Sequence, residues 1–140
     1  MARVSEAARL YVPAERVWET VGSFADIDRW HPAVLTSESE AAGTQSERRL
    51  DLGADAPLVE LLEAHDDERM AYRTRFREGP LPVSEMTAEL RVKADDANSC
   101  TVEWSAELEP APGAEEGDAV AALRDHFRRG LEHLRFTLAG

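Results

Sequence analysis

The C-terminal segment, residues 115–138, constrains the fold most, because it is the only stretch long and periodic enough to predict a helix on its own. Its apolar residues recur every three or four positions and form one stripe along about five helical turns. The stripe consists of Val120, Leu123, Phe127, Leu131, Leu134 and Leu138. A stripe of this length must be buried, so the rest of the chain has to provide an apolar surface for it.

Most of the preceding chain alternates between apolar and polar residues in short runs, which predicts β-strands that end at Gly, Asp, Asn and Pro turns. The predicted strands are residues 4–11, 34–40, 47–52, 58–64, 69–77, 84–93 and 100–108. Two short helices, residues 13–22 and 24–31, are expected between the first two strands. We therefore predict a single α+β domain over residues 1–140, with a curved antiparallel sheet of about seven strands wrapped around the long C-terminal helix.

The composition limits the kind of partner that the protein can bind. A length of 140 residues suits one domain with a sizeable core, and the sequence contains no evident linker. The formal net charge of −12, with only 16 Lys and Arg, argues against nucleic-acid binding, which needs a basic stripe. We interpret the acidic excess as a solvated surface. The expected partner is a small hydrophobic molecule, and the protein itself is expected to be a monomer or a weak homodimer.

Cysteine and histidine usage argues against disulfide and metal chemistry. Cys100 is the only cysteine, and its alternating apolar context predicts a buried thiol. The histidines are His31, His65, His126 and His133, and their spacing fits no metal site. We find no catalytic triad, phosphate-binding loop or dinucleotide fingerprint, so no metal and no cofactor are expected. Without an apolar run that suits a signal peptide or a membrane span, the expected location is cytoplasmic.

Alternation along the strands predicts which side chains face the long helix. The inward set of the strand at residues 69–77 is Met70, Tyr72, Thr74 and Phe76. The arginines between them are expected to point to water. In the last strand, the register that we prefer turns inward Val102, Trp104, Ala106 and Leu108. A β-bulge would instead turn Glu103 and Ser105 inward.

Two charged residues interrupt the inward pattern. Arg48 shares its face with Leu50 and Leu52, and Glu60 shares its face with Leu58 and Leu62, so both are predicted on the concave side of neighbouring strands. A lone buried charge costs roughly several kcal/mol, which makes a facing Arg48–Glu60 pair the physical solution. Such a pair either is purely structural or orients a ligand, and the sequence leaves both interpretations open.

The inward residues together predict a ligand pocket between the sheet and the helix. Its predicted lining is Trp30, Arg48, Leu50, Leu52, Glu60, Tyr72, Thr74, Met86, Trp104, Phe127 and Leu131. Two turns join the strands with the most apolar inward faces, and we predict that they form a gate at the mouth of this pocket. The gate residues are Gly53, Pro57, Gly79, Pro80, Leu81 and Pro82. The alternative is that both segments are ordinary hairpin turns.

Gly130 lies within the predicted helix, where glycine costs about 1 kcal/mol relative to alanine. We expect that it leaves room for the sheet or for a ligand. The alternative is an exposed glycine that a long helix tolerates.

The element order and several short segments are similar to the bacterial polyketide cyclase/dehydrase-type branch of the START/Bet v 1-like (SRPBCC) superfamily. The matching segments are residues 13–18, 30–32, 48–52, 60–62, 66–69, 79–83 and 130–131. The resemblance implies a helix-grip fold that binds a lipid-, polyketide- or aromatic-like molecule. It also implies two alternatives. In one, Glu60, Tyr72 and Arg48 supply acid, base and oxyanion contacts of a cyclase, aromatase or dehydratase. In the other, the protein is an interaction module with a filled core and no ligand.

This branch is in turn similar to the plant abscisic acid receptors. The pocket arginine and glutamate of those receptors match Arg48 and Glu60, and their gating turns match residues 53–57 and 78–83. Leu35 stands where the receptors have a carboxylate-binding lysine, and Met86 stands where they have a tyrosine. These two departures argue against an acid of the hormone type as the ligand.

Overall fold

A computed structural model gives the structure of residues 1–138. Its strands are β1 (Ala2–Leu10), β2 (Thr36–Ala42), β3 (Gln45–Asp51), β4 (Leu58–Asp66), β5 (Ala71–Glu78), β6 (Val83–Asp96) and β7 (Ser99–Pro110). Its helices are α1 (Ala14–Val21), a 3₁₀ helix (Phe24–Arg29) and α2 (Glu116–Leu138). The predicted order of elements is confirmed. None of the helices in this part of the chain is long and apolar enough to cross a membrane.

The two short helices begin and end where the sequence favours it. Pro13, with φ of −56°, precedes α1, and its carbonyl accepts hydrogen bonds from the backbone N–H groups of Arg16 and Val17. Gly22 closes α1 by donating its backbone N–H to the carbonyl of Trp18 at 2.8 Å. The next segment is a 3₁₀ helix with a kink at Asp26, whose φ and ψ are −114° and 28°. This turn brings the backbone back towards the sheet, where Phe24 and Ile27 are buried.

The seven strands form one antiparallel sheet in the order β1-β7-β6-β5-β4-β3-β2, so the first strand pairs with the last. Sequential hairpins build this order because neighbouring strands in the chain are joined by short turns. The sheet curves around α2, and the predicted helix-grip architecture is confirmed.

The inward register of the sheet follows the alternation of the sequence. In β7, Trp104 and Ala106 are buried, whereas Glu103 and Ser105 lie on the other face and are half-buried. The β6–β7 pairing continues without a shift from Met86 to Ala94, so no bulge inverts the last strand. The preferred register is therefore confirmed, and the alternative is wrong.

The start of β5 differs from the prediction. Met70 adopts a φ of 53°, a left-handed conformation that belongs to a turn, so the strand begins at Ala71 rather than at residue 69. Tyr72 and Thr74 are buried as expected, whereas Phe76, near the end of the strand, is only half-buried. The alternation thus predicted the faces of Tyr72, Thr74 and Phe76 but not the residue at which the strand begins.

The long helix α2 lies mainly against β1 and β7 and buries its apolar stripe there. Leu123, Phe127, Leu131 and Leu134 are at most 2% exposed. Val120 and Leu138, near the two ends of the stripe, are half-buried against the core. At roughly 1.5–3 kcal/mol for each fully buried side chain, this stripe is a major contribution to folding.

Gly130 is buried in the middle of α2, against residues that the sequence places far away. A Cβ atom built at this position would lie 2.6 Å from Cδ2 of His31 and 3.1 Å from Cζ3 of Trp104. The glycine therefore leaves room for the sheet, through Trp104, and for the segment that follows the 3₁₀ helix, through His31. The alternative of a tolerated exposed glycine is wrong.

We predict that Gly130→Ala destabilises the protein by about 1–3 kcal/mol, because the added methyl group must displace two tightly packed rings. Gly117→Ala, in the first turn of the same helix, is the matched control, since nothing lies within 4 Å of its Cβ position. That substitution should be neutral or stabilise by up to about 1 kcal/mol. Urea unfolding of both variants measures the difference, and equal stabilisation by both would show that α2 has room at Gly130.

Candidate functional site

Arg48 and Glu60 form a buried ion pair on the concave side of the sheet. They lie directly opposite each other on β3 and β4, so the side chains meet without distortion of either strand. Nε and Nη2 of Arg48 donate to the same Glu60 oxygen, Oε1, at 3.0 and 2.8 Å. Arg48 is 1% exposed and Glu60 is 5% exposed. The structure therefore contains the facing pair that the sequence predicts.

Two further side chains and one carbonyl complete this arrangement. Nη1 of Arg48 donates to the Phe24 carbonyl at 2.9 Å and to the Tyr72 hydroxyl at 3.4 Å. The Thr74 hydroxyl donates to the second Glu60 oxygen, Oε2, at 3.3 Å. We refer to Arg48, Glu60, Tyr72 and Thr74 as the polar cluster. Phe24 was not predicted to take part, because only the kinked 3₁₀ helix brings its carbonyl and ring to the guanidinium group.

The polar cluster is charge-neutral but strongly polarised. Burial by itself disfavours the Arg48 cation, yet the Glu60 carboxylate and the Tyr72 hydroxyl outweigh this effect and raise the Arg48 pKa above its ordinary value. The guanidinium carbon also lies 4.6 Å from the Phe24 ring centroid and 5.6 Å from that of Tyr72. Arg48 therefore remains charged while shielded from water on all sides.

Aromatic rings fill the space beside the polar cluster. Trp104 of β7 stacks on Phe127 of α2 with ring centroids 4.4 Å apart, and Trp30 packs 5.5 Å from Trp104. All the predicted lining residues except Leu52 are buried, and Leu52 is half-buried. The structure thus brings the predicted set together as a packed interior.

The principal cavities that the structure shows for residues 1–138 lie outside this interior. They open on the outer face of the sheet, beside the β2–β3 hairpin, between β1 and α2, and between loops. None of these cavities is lined by a residue of the polar cluster, by Trp104 or by Phe127. Of the predicted lining residues, Leu131 contributes to the cavity between β1 and α2, and Met86 contributes to a cavity beside β5 and β6. A pocket between sheet and helix, as predicted from the sequence, is occupied here by the side chains that were expected to line it.

The two predicted gate loops face each other across one cavity of about 450 Å³. Its lining residues are Ala54, Asp55, Ala56, Pro57, Glu78, Gly79 and Pro80. Gly79 has φ of 150°, and a Cβ there would lie 2.8 Å from Cα of Leu58, so glycine is required where the loops meet β4. Leu81 and Pro82 are half-buried. Leu35 is 63% exposed and lies beside Gly53, outside the packed interior.

His31 belongs to the core, which spacing along the sequence did not indicate. Its Nδ1 accepts a hydrogen bond from the backbone N–H of Ala33 at 3.1 Å, and its Nε2 lies 2.7 Å from the His126 carbonyl. Nε2 must therefore carry the proton, which makes His31 a neutral donor that ties the segment after the 3₁₀ helix to α2. Its ring stacks on that of His126 with centroids 4.3 Å apart. Gly130 was the only sequence signal for this contact.

The other histidines are more exposed than His31. His126 is half-buried, as expected, and burial, with Arg48 and Arg129 nearby, lowers its pKa to about 4. Nε2 of His65 lies 2.8 Å from the Gly22 carbonyl, and Nδ1 of His133 lies 3.1 Å from the Trp30 carbonyl. Through these contacts, His65 connects β4 to the end of α1, and His133 connects α2 to the end of the 3₁₀ helix.

Comparison with known proteins identifies a family and a fold. Residues 1–139 match the family described as polyketide cyclase/dehydrase and lipid transport. The protein XoxI from Bacillus cereus has a similar structure, with a TM-score of 0.91 and 24% identity over 98% of this chain and 95% of that one. The comparison with curated proteins gave no match.

Two more distant structures share the same fold. The Zhui aromatase/cyclase from Streptomyces sp. R1128 has a TM-score of 0.68 and 18% identity over 99% of this chain and 88% of that one. A START superfamily protein from Mycobacterium smegmatis has a TM-score of 0.70 and 14% identity over 99% of this chain and 94% of that one. At these identities the likeness concerns the fold alone.

We predict that the buried histidines make the stability depend on pH. Burial, with a further contribution from His126, lowers the His31 pKa from 6.5 to about 3. Between these values the unfolded chain binds a proton that the folded protein excludes, so stability falls as the pH decreases from 6.5 towards 3. For each histidine of this kind, the free energy of unfolding falls by about 1.4 kcal/mol for every pH unit of acidification within this range.

Urea unfolding between about pH 7 and pH 5 measures this slope. His31→Gln keeps a neutral side chain that can both donate and accept, and it should remove the contribution of one proton from the slope. An unchanged slope in a folded His31→Gln variant, or titration of the His31 ring near its ordinary pKa in NMR spectra, would contradict the prediction.

Proposed function

Because the chain belongs to the polyketide cyclase/dehydrase and lipid transport family, we propose that it binds a small, largely hydrophobic molecule between the sheet and α2. The molecule is lipid-, polyketide- or aromatic-like. The observation that carries this proposal is the polar cluster, which places hydrogen-bonding groups within an interior that is otherwise apolar.

The energetics of the polar cluster support a role beyond folding. Removing a guanidinium or a carboxylate from water costs roughly several kcal/mol per ion, even after the surrounding protein relaxes. Apolar side chains of similar volume would often stabilise a fold equally well. Hydrogen bonds hold the charged and polar groups of the cluster in place on the concave side of the sheet. Preorganised polar groups of this kind orient a ligand, whereas apolar contacts alone do not fix its orientation.

Access to the interior requires movement, because side chains fill it. We propose that the ligand enters between residues 53–57 and 78–83. Residues 54–57 of the first loop and 78–80 of the second line the 450 Å³ cavity. Met86, which has an unbranched and adaptable side chain, lies on the inward face of β6 and can repack around a ligand. The filled interior also supports an interaction module without a ligand, and the dye experiment below separates the two.

A second candidate is a cyclase-, aromatase- or dehydratase-like activity. It is favoured by hydrogen-bonding positions in the polar cluster that are weakly used or have no partner. Oε2 of Glu60 is held only by the long bond from Thr74, which leaves it available as a base. Tyr72 and Arg48 lie within 3.4 Å of each other and offer donors to a developing oxyanion. The structural neighbour Zhui is itself an aromatase/cyclase.

To test binding, we predict that the neutral dye N-phenyl-1-naphthylamine becomes fluorescent in the protein and that Leu131→Trp weakens its binding about tenfold or more. Leu131 is 2% exposed on the inward face of α2, so the larger ring takes up the space that the dye needs. Phe136→Trp, on the same helix but 82% exposed, is the matched control and should leave dye binding unchanged.

The outcome separates the candidate functions. Unchanged dye binding by a folded Leu131→Trp variant would exclude the interior as the site. No dye binding by the unsubstituted protein would favour the interaction module.

For the gate, we predict that the dye slows amide hydrogen exchange in both loops, at residues 53–56 and at Gly79, Leu81 and Val83. Closure of the loops over a bound molecule protects these amides together. The exposed turn at Gly43 and Thr44, at the opposite end of the β2–β3 hairpin, serves as the control and should exchange at the same rate. If α2 is protected and both loops are unaffected, the ligand enters elsewhere and the loops are ordinary turns.

A further inference from the structure

We infer that the ligand of this interior is a neutral carbonyl compound and not an ionised carboxylic acid. The inference rests on the proposed function and specifies the chemical class of the ligand. It follows from the balance of charge in the interior and from the hydrogen-bonding groups that the fold leaves unpaired.

The charge balance disfavours an anion. Within residues 1–138, Arg48 is the only buried residue with a permanent positive charge, and Glu60 neutralises it through two hydrogen bonds to one oxygen atom. The buried histidine, His31, donates from Nε2 and accepts at Nδ1, so it is neutral. A carboxylate would therefore be buried without a counter-charge beside the carboxylate of Glu60, and both effects oppose its binding.

The unpaired groups favour a carbonyl oxygen. The Tyr72 hydroxyl accepts from Arg48, and no acceptor for its own proton is found in the part of the chain that the structure describes. Nε1 of Trp30 is also buried with no partner in this part of the chain. Arg48 has a second N–H on Nη2 besides the one that binds Glu60. These groups are donors, and a neutral carbonyl satisfies a donor without adding charge.

Two probes of matched shape test the inference by displacing N-phenyl-1-naphthylamine at about pH 7.5, where the acid is ionised. 2-Acetylnaphthalene carries a ketone where 2-naphthoate carries a carboxylate. We expect the ketone to bind at least about tenfold more tightly than the carboxylate. Equal affinities, or tighter binding of 2-naphthoate, would overturn the inference while the proposed function stands. If the dye itself does not bind, the proposed function fails first.

Glu60→Gln provides the decisive variant, because it removes the negative charge and leaves Arg48 without its counter-ion. We expect the preference for the ketone to be lost, with 2-naphthoate binding at least about tenfold more tightly than to the unsubstituted protein and raising the Tm of the variant. Glu47→Gln is the matched control. Glu47 is an equally buried carboxylate on β3 that pairs with Arg77 on the opposite face, so its loss should leave the preference unchanged. A folded Glu60→Gln variant that still rejects 2-naphthoate would overturn the inference.

Should Glu60→Gln fail to fold, Tyr72→Phe tests the same site by removing one donor while keeping the ring. We expect it to weaken 2-acetylnaphthalene about tenfold and to leave unsubstituted naphthalene unaffected. Equal weakening of both, or of neither, would show that the Tyr72 hydroxyl does not contact the carbonyl group, and would overturn the inference.

Discussion

Burial of the apolar face of α2 is the constraint on which the rest of the structure depends. The apolar stripe of this 23-residue helix is unfavourable in water, and the antiparallel sheet curves to cover it. Close approach is possible because Gly130 has no side chain, so His31 and Trp104 pack directly against the helix backbone. Through His31, the same contact ties the segment after the 3₁₀ helix to α2 and closes one side of the interior.

Within this apolar enclosure, the polar cluster is held by elements that are distant in sequence. Arg48 comes from β3, Glu60 from β4, and Tyr72 and Thr74 from β5, while the 3₁₀ helix contributes the Phe24 carbonyl. Cross-strand pairing places Arg48 opposite Glu60, and Thr74 opposite Leu62 of the same strand β4, so strands rather than flexible loops support these side chains. The rigidity of the cluster is the physical basis for proposing that it orients a ligand, and its neutrality is the basis for proposing which ligand.

The interior is packed, whereas the two loops leave a cavity between them. Side chains fill the space around Trp104 and Phe127, whereas residues 54–57 and 78–80 line an open cavity where β3, β4 and β5 end or begin. A binding protein with this arrangement exchanges contacts among its own side chains for contacts with the ligand. The affinity then depends on how much stronger the contacts with the ligand are than the side-chain contacts that they replace. Ligands that accept hydrogen bonds from unpaired donors in the interior are therefore favoured.

The sequence by itself determined the elements, their order and the face of each strand, because the 3.6- and 2-residue periods of hydrophobicity are local properties. It also placed Arg48 and Glu60 together, since the parity of each residue and the hairpin order fix cross-strand neighbours. Only the tertiary structure decided that Phe24 and His31 join the interior, that Met70 ends a turn, and that side chains fill the predicted pocket. These features depend on how the 3₁₀ helix folds back and on how closely α2 approaches the sheet, and such distances between remote segments leave no periodic trace in the sequence.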